Sequence, residues 1–311
     1  MKALITGAGG FCGAHLVSRL RQEGGIEIAG LDRMAESPAR LDRYFQGDIT
    51  DSAFVDSVVR SFAPDYVFHL AGISGSTASA ARIYEVNVLG TVHLLEGVRR
   101  SVPECRVVIA GSFAEYGPVE ASKLPVTEET MCRPVGAYGI TKYAATLTAL
   151  DYARRFALKV VVARPSNVVG PGVPNTLVVG AMLGRVKEAM KSLRPLVKVG
   201  DFDSERDFID AGDLVDAYVR LAKSGISGEV FNLCSGRAYS IRQLAEMLVS
   251  NSSRPIELEF DPNLFPPSAI RSLYGSYEKA AKAIRFHPAT PLEETLRAVW
   301  CAEMGEGVAC E

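Results

Sequence analysis

Eight residues near the start of the chain, Thr6-Gly7-Ala8-Gly9-Gly10-Phe11-Cys12-Gly13, lie directly between a short apolar run at 2–6 and an amphipathic stretch at 13–23. Glycines placed between a strand and a helix constrain the fold more than any other feature of this sequence. Gly7 permits a tight turn, Gly10 a close approach of main-chain N–H groups to a pyrophosphate, and Gly13 close helix–strand packing; Phe11 and Cys12 complete the loop. The helix N-terminus adds its dipole and unpaired N–H groups to hold an anion. A glycine loop can also be no more than a flexible turn, but its place after a strand and before a helix favours a nucleotide.

The rest of the chain keeps the same rhythm. Apolar runs at 26–31, 66–70, 106–111, 159–164 and 230–233 are nearly continuous Val, Ile, Leu and Ala, the pattern of parallel strands covered on both faces. Helical patterns fall between them at 51–62, 79–100, 137–156 and 212–223. This alternation predicts an α/β fold, a Rossmann-like doubly wound parallel sheet. The rhythm breaks after Arg164, where PSNVVGPGVPN at 165–175 marks a loop. An amphipathic stretch follows at 177–193, and the tail holds helices near 240–250, 276–284 and 291–302 around a strand at 256–260. Residues 1–165, rejoined by 212–234, are expected to form an NAD(P)-binding domain. Residues 166–211 and 235–311 are expected to form a smaller α/β C-terminal substrate lobe.

Composition narrows the function. The 311 residues are 48% hydrophobic and 23% charged, as in an ordinary globular protein. Lys and Arg number 34 against 36 Asp and Glu, so there is no basic excess to displace phosphate counterions, which argues against nucleic acid. No apolar run reaches the roughly 18 residues of a membrane span, and a strand beginning at residue 2 leaves no place for a signal peptide. The six cysteines (12, 105, 132, 234, 301 and 310) contain no Cys-x-x-Cys pair and read as reduced core thiols of a cytoplasmic protein. His15, His69, His93 and His287 show no ligand spacing, so no metal is expected.

Asp32 closes the second strand about 20 residues past the glycines, where an acid accepts hydrogen bonds from the adenosine ribose and repels a 2′-phosphate. It favours NAD. Arg33 beside it could pair with the extra phosphate of NADP, and both residues could be a solvated strand end. Asp48 and Ile49 are placed to meet the adenine, with Asp48 as the N-cap of the next helix the alternative.

Tyr138 and Lys142 stand four residues apart on a helix, hence on one face. Ser112 lies just past a buried strand, at the carboxyl edge where α/β enzymes place ligands. A phenol near its ordinary pKa of about 10 exchanges protons poorly at neutral pH. A neighbouring ammonium is expected to lower it, making Tyr138 a general acid or base with Ser112 bonded to the same substrate oxygen. Lys142 would also hold the nicotinamide ribose. A surface Tyr–Lys pair is the alternative.

Together these residues resemble the extended short-chain dehydrogenase/reductase family of nucleotide-sugar epimerases, dehydratases and reductases. The matching blocks are TGAGGFCG at 6–13, HLAG at 69–72, NVLGT at 87–91, GSFAEYG at 111–117, YGITK at 138–142, ARPSNVVGPG at 163–172, RDFIDAGDLVDAY at 206–218 and GEVFNLCSG at 228–236. The last two look most like the branch holding GDP-mannose dehydratases and GDP-6-deoxy-4-keto-mannose reductases. The resemblance implies Ser112, Tyr138 and Lys142 as the catalytic trio, and Leu70 and Ala71 lining the cofactor. It also implies Asn167 on the substrate's phosphate or sugar, and Arg206 as a diphosphate clamp. A salt bridge from Arg206 to Asp203, Glu205 or Asp207 competes with that role.

Two departures shape the functional expectation. Dehydratases of the family carry acids just after the catalytic Ser or Thr, where this chain has Phe113 and Ala114, which cannot transfer protons. Dehydration is therefore excluded. Where the family has Arg-Pro in the tail, this chain reads Phe265-Pro266-Pro267-Ser268-Ala269-Ile270-Arg271, leaving Arg271 to reach the diphosphate or a different substrate to be bound. The resemblance implies a reductase of the C4 keto group of a nucleotide-linked 4-keto-6-deoxyhexose, GDP-linked, using NAD or NADP. The rivals are an NAD-dependent 4-epimerase and a non-catalytic dinucleotide sensor. The segments 79–100 and 137–156 resemble the helices that pair in family homodimers, though either could equally be a crossover helix within one subunit.

Overall fold

Along β1 (Lys2–Thr6) successive side chains enter different cores: Ala3 and Ile5 face one, Leu4 the other, and all three are fully buried. A strand that is apolar on both sides can only be an inner strand of a sheet with helices on both faces. The computed structural model, which describes residues 1–36, 40–74, 78–261, 264 and 270–305, places it there. The other strands of the first half are β2 (Glu27–Asp32), β3 (Arg43–Gln46), β4 (Tyr66–His69), β5 (Arg106–Ala110) and β6 (Lys159–Pro165). Next come β7 (Asn167–Val169), β8 (Leu196–Val199), β9 (Glu205–Arg206) and β10 (Phe208–Asp210). The last four are β11 (Glu229–Leu233), β12 (Tyr239–Ser240), β13 (Glu257–Phe260) and β14 (Ser272–Leu273).

Seven of these form one parallel sheet in the order β11-β6-β5-β4-β1-β2-β3. The chain leaves β1 toward β3 on one side and returns to β4 on the other. Between β1 and β4 the order reverses, and ligands of doubly wound sheets bind in the crevice at the carboxyl ends there. Thr6 pairs with His69 in the last register step.

On one face lie α1 (Phe11–Glu23), through Leu16, Val17 and Leu20, and the helix Ala211–Ser224. The other face holds α2 (Ser52–Phe62), the composite helix α3 (Ala80–Tyr84) and α4 (Gly90–Ser101), and α5 (Gly136–Phe156). A π turn, Glu85–Leu89, joins α3 to α4, so the helix expected at 79–100 is not uniform. Asp51 caps α2, accepting the Phe54 N–H at 3.0 Å, which removes the alternative reading of Asp48 as the cap.

A separate core gathers α6 (Val178–Ala189), α8 (Ile241–Val249), α10 (Leu292–Met304) and β8 around Trp300 and Leu244, while α7 (Ala211–Ser224) stays on the main sheet. α9 (Glu278–Ile284) packs instead on α7 and the main sheet. The short strands β7 with β10, and β12, β9 and β14, tie this part to the sheet's carboxyl edge. Cys12, Cys105, Cys132 and Cys234 are free. Cys301 is disulfide-bonded, against the expectation of six reduced thiols; scattered single cysteines give no spacing that reveals a pair. Cys310 lies outside the described residues.

Candidate active site

The glycine loop sits at the sheet's switch point. Gly7 has φ +73° and lies so close to the β4 end that a Cβ there would come 2.8 Å from the Ala71 nitrogen; at Gly13 a Cβ would come 2.5 Å from the Gly7 carbonyl oxygen. Only glycine allows both approaches. No side chain caps α1, so its first N–H groups face the crevice. Asp32 lies beside the loop, its Oδ2 accepting the Gly9 N–H at 2.9 Å and its Oδ1 the Met34 N–H at 3.2 Å. Arg33 is exposed. Asp48 pairs with the Arg82 guanidinium and accepts from Thr50. Burial works to raise its pKa, but these bonds win and hold the carboxyl below its ordinary range. Ile49 is buried under Gly90.

Ala71 and Leu70 continue β4, their N–H groups donating to the Thr6 hydroxyl at 3.3 Å and the Thr6 carbonyl at 3.1 Å. Asn87, in the π turn, accepts the Ile73 N–H at 2.8 Å and donates to the Thr141 hydroxyl at 3.0 Å; Thr141 in turn donates to the Tyr138 carbonyl at 2.9 Å. One buried amide thus joins the cofactor edge to α5. The NVLGT block contains it, but nothing in its spacing assigns this role.

Ser112 begins a 3-10 turn, Phe113–Glu115, directly after β5. A Cβ at Gly139 would come 2.6 Å from the Ala114 carbonyl, so glycine lets α5 lie against this turn. The Ser112 hydroxyl is consequently bonded to the Tyr138 phenol. Lys142, a turn further on, is buried and donates from Nζ to the Ala110 carbonyl at 2.7 Å. The structure brings all three expected side chains together, but the electrostatics differ from the expectation. Desolvation raises the Tyr138 pKa, with the Ser112 bond opposing and the Glu115 charge adding to the rise. Burial lowers that of Lys142. The ammonium faces a main-chain carbonyl, and the phenol is not primed below its ordinary pKa. Phe113 is buried against Gly275 and Cys234, so the position where dehydratases carry an acid points away from the cleft.

On the lobe side, the exposed Asn167 donates from Nδ2 to the Asp207 carbonyl at 2.8 Å. Arg206 donates to the carbonyls of Glu205 at 2.8 Å, Ile270 at 2.8 Å and Arg271 at 3.4 Å. Burial lowers its pKa. The competing reading paired it with carboxylates; these bonds instead go to main-chain oxygens, and they bring Arg271, whose side chain is exposed, beside it. Phe265 to Ala269 lie outside the described residues. Asp207, which the sequence offered only as an ion-pair partner of Arg206, is instead fully buried and accepts from Ser166, Ser235 and Gly236, a role that sequence reasoning missed.

The model of the NAD dependent epimerase/dehydratase family matches residues 3–234. The chain belongs to that family. It is 30% identical over 305 residues to GDP-6-deoxy-D-mannose reductase of Pseudomonas aeruginosa, covering 96% of this chain and 95% of that one. It is also 30% identical to UDP-glucose 4-epimerase of Mycolicibacterium smegmatis, over 84% of this chain and 86% of the other. Among solved structures it is similar to RMD from Pseudomonas aeruginosa complexed with NADPH, with a TM-score of 0.84, 28% identity and coverage of 97% and 98%.

The residues present fit the family's nicotinamide dinucleotide. A loop whose glycine positions have no room for side chains, an uncapped helix N-terminus and a fixed carboxylate at the end of β2 match a pyrophosphate and a ribose diol in turn. Among the described residues no group of three or more His, Cys, Asp or Glu is arranged to hold a metal, and no helix is long and apolar enough to cross a membrane.

Proposed function

We propose that this protein is a nucleotide-sugar oxidoreductase that reduces the C4 keto group of a GDP-linked 4-keto-6-deoxyhexose. The observation that carries the reading is the convergence of Ser112, Tyr138 and Lys142 at the carboxyl edge of β5, with Phe113 turned away and the two residues directly after Ser112, Phe113 and Ala114, unable to transfer protons. The near full-length likeness to a GDP-6-deoxy-D-mannose reductase supports it.

A bound NAD(P)H supplies the hydride for C4. Gly7, Gly10, Phe11, Cys12 and Gly13 would hold its pyrophosphate, Asp32 its ribose, Asp48 and Ile49 its adenine side, and Leu70 and Ala71 would line its site. Tyr138, protonated because its pKa is raised, donates its proton to the C4 oxygen, and Ser112 donates a hydrogen bond to the same oxygen. Lys142, a turn away on the same helix, supplies the positive charge that eases proton loss from the phenol and would hold the nicotinamide ribose. Asn167, Arg206 and Arg271 hold the phosphates at a distance from the reacting carbon, so that binding there orients the sugar. Residues 1–165 with 212–234 serve the dinucleotide; 166–211 and 235–311 serve the nucleotide sugar.

The test is to supply GDP-4-keto-6-deoxymannose with NADH or NADPH and follow cofactor oxidation, with the product identified by NMR. Stoichiometric oxidation supports the reductase. A second reading, a 4-epimerase with tightly held NAD, is favoured by the Asp32 carboxylate and by the likeness to a UDP-glucose 4-epimerase. NAD that co-purifies, with sugar interconverted and no net consumption, would select it. The four free cysteines Cys12, Cys105, Cys132 and Cys234 support a cytoplasmic location, and the bonded Cys301 counts against it. Exposed Tyr84, Leu89, Ile140 and Leu147 on α3, the π turn and α5 support a homodimer through these helices, testable by light scattering.

A further inference from the structure

Glu115 and Arg164 form an ion pair (Nε to Oε2, 2.7 Å) with side chains 0% and 4% exposed, and no step of the proposed reaction uses either. A buried ion pair is costly to desolvate and adds little stability on balance, so its presence beside a catalytic serine calls for another account. Glu115 is the third residue of the turn that Ser112 opens. Its Oε1 accepts the Ser112 N–H at 2.8 Å, while the Ser112 hydroxyl accepts the Ala114 N–H at 3.1 Å. Immediately upstream, the Gly111 N–H donates to the Ala163 carbonyl at 2.7 Å and the Ala110 carbonyl accepts from Lys142 at 2.7 Å. Ala110, Gly111 and Ser112 are therefore each held by a hydrogen bond to a group outside this tripeptide. An anion grips one end of the tripeptide and a cation the other.

Arg164 arrives on β6, and its guanidinium lies 5.2 Å from the centre of the Tyr116 ring, whose hydroxyl is tied to Asn232 at 2.7 Å. It is locked in place as the counter-ion.

We propose that Glu115 is a positioning residue of this active site: through the Ser112 N–H it sets the Ser112 hydroxyl on the Tyr138 phenol, and its carboxylate is the counter-charge for Lys142, which is held two residues upstream on the Ala110 carbonyl. The inference rests on the reading of Ser112, Tyr138 and Lys142 as the catalytic group. Cys12 faces Tyr138 and Lys142 from α1, His69 faces Lys142 from β4, and Tyr218 faces Tyr138 from α7; Arg164, Tyr116 and Cys132 stand behind Glu115. Burial pushes the Cys12 thiol up to about 11 and, with Lys142 assisting, the His69 imidazole down to about 3, and it raises Tyr218 well above its ordinary value. These three are neutral near pH 7. Burial draws the Lys142 pKa down, and the Glu115 charge opposes it. Burial likewise lifts the Glu115 carboxyl, while Arg164 and the Ser112 N–H favour the carboxylate.

The test reads Lys142 directly, without substrate. Its side-chain 13Cε resonance, assigned with Lys142→Met, is titrated in the full-length protein. In Glu115→Gln the midpoint should fall by about one pH unit or more. A smaller fall in the same direction is expected in Glu115→Gln/Arg164→Met, because loss of the Arg164 cation offsets part of the change, and buried pairs often tolerate such a replacement. Arg164→Lys, which keeps the cation, should stay near the wild-type midpoint. Turnover of GDP-4-keto-6-deoxymannose by Glu115→Gln should drop in kcat by about tenfold or more with KM within about threefold. A Lys142 midpoint within about 0.3 unit of wild type in either folded Glu115 variant would overturn the inference. A wild-type protein inert toward that sugar, but with the midpoint shift intact, would overturn the functional reading alone.

Discussion

Thr6 Oγ1 and His69 Nδ1 stand 2.7 Å apart between β1 and β4, and the rest of their network fixes which of them donates. Thr91 gives its hydroxyl proton to the Asn87 carbonyl at 2.7 Å, so its oxygen accepts from His69 Nε2 at 3.0 Å. Nδ1 is then the bare nitrogen and accepts from Thr6, whose oxygen takes the Ala71 N–H. A neutral imidazole thus braces the cofactor edge. Burial, helped by the Lys142 charge, depresses its pKa to about 3.

That depression predicts acid sensitivity. The folded-state pKa lies below the ordinary value of about 6.5, so the unfolded chain takes up a proton that the folded one refuses. The stability is fully present above about pH 6.5 and declines as pH falls toward 3. Between about pH 7 and 5 the loss is about 2 kcal/mol. Urea unfolding across that range should show the wild type losing about this much more than His69→Gln; parallel curves would contradict the assignment.

Gly13→Ala should cost about 2 kcal/mol or more, because its Cβ would meet the Gly7 carbonyl oxygen at 2.5 Å and push α1 off the loop. Affinity for NAD and NADPH, measured by fluorescence titration, should fall about tenfold or more. An unchanged affinity would place the dinucleotide elsewhere.

Asp32→Ser removes the carboxylate fixed by the Gly9 and Met34 N–H groups. Its repulsion of a 2′-phosphate should vanish, moving the ratio of NADPH to NADH affinity toward NADPH by about tenfold. Titration of both cofactors on both proteins measures this, and an unmoved ratio would shift discrimination to other residues.

Asp207→Asn should lower unfolding free energy by about 3 kcal/mol. Asp207 Oδ1 accepts from Ser166 and Ser235 and Oδ2 from the Gly236 N–H at 2.9 Å, so an amide would turn a donor toward one set of donors. Chemical denaturation that left the two proteins equal would show that these contacts carry no net energy.

Six of the seven strands of the central sheet were readable because they are short apolar runs closed by glycine or by loops, whereas the edge strand β3, Arg43-Tyr44-Phe45-Gln46, is half-exposed and carries no such run; α5 was readable because Tyr138 and Lys142 share a helical face. What sequence could not show are relations between distant segments. Arg164 sits inside an apolar strand run, which hints that it is buried, but its partner Glu115 is far off in the chain. Asp207 draws its donors from three separate segments, at Ser166, at Ser235–Gly236 and at Gly275. The two- and three-residue strands around Arg206 are too short to carry any periodicity. The direction of the Tyr138 shift depended on where Lys142 points, and a four-residue spacing sets the face of a helix but not the partner of its side chain.

The most direct test is turnover of GDP-4-keto-6-deoxymannose by the wild type and Tyr138→Phe, followed by NAD(P)H oxidation. The account predicts a fall in kcat of about a hundredfold or more in the variant, with cofactor affinity retained. Full turnover by Tyr138→Phe would contradict it.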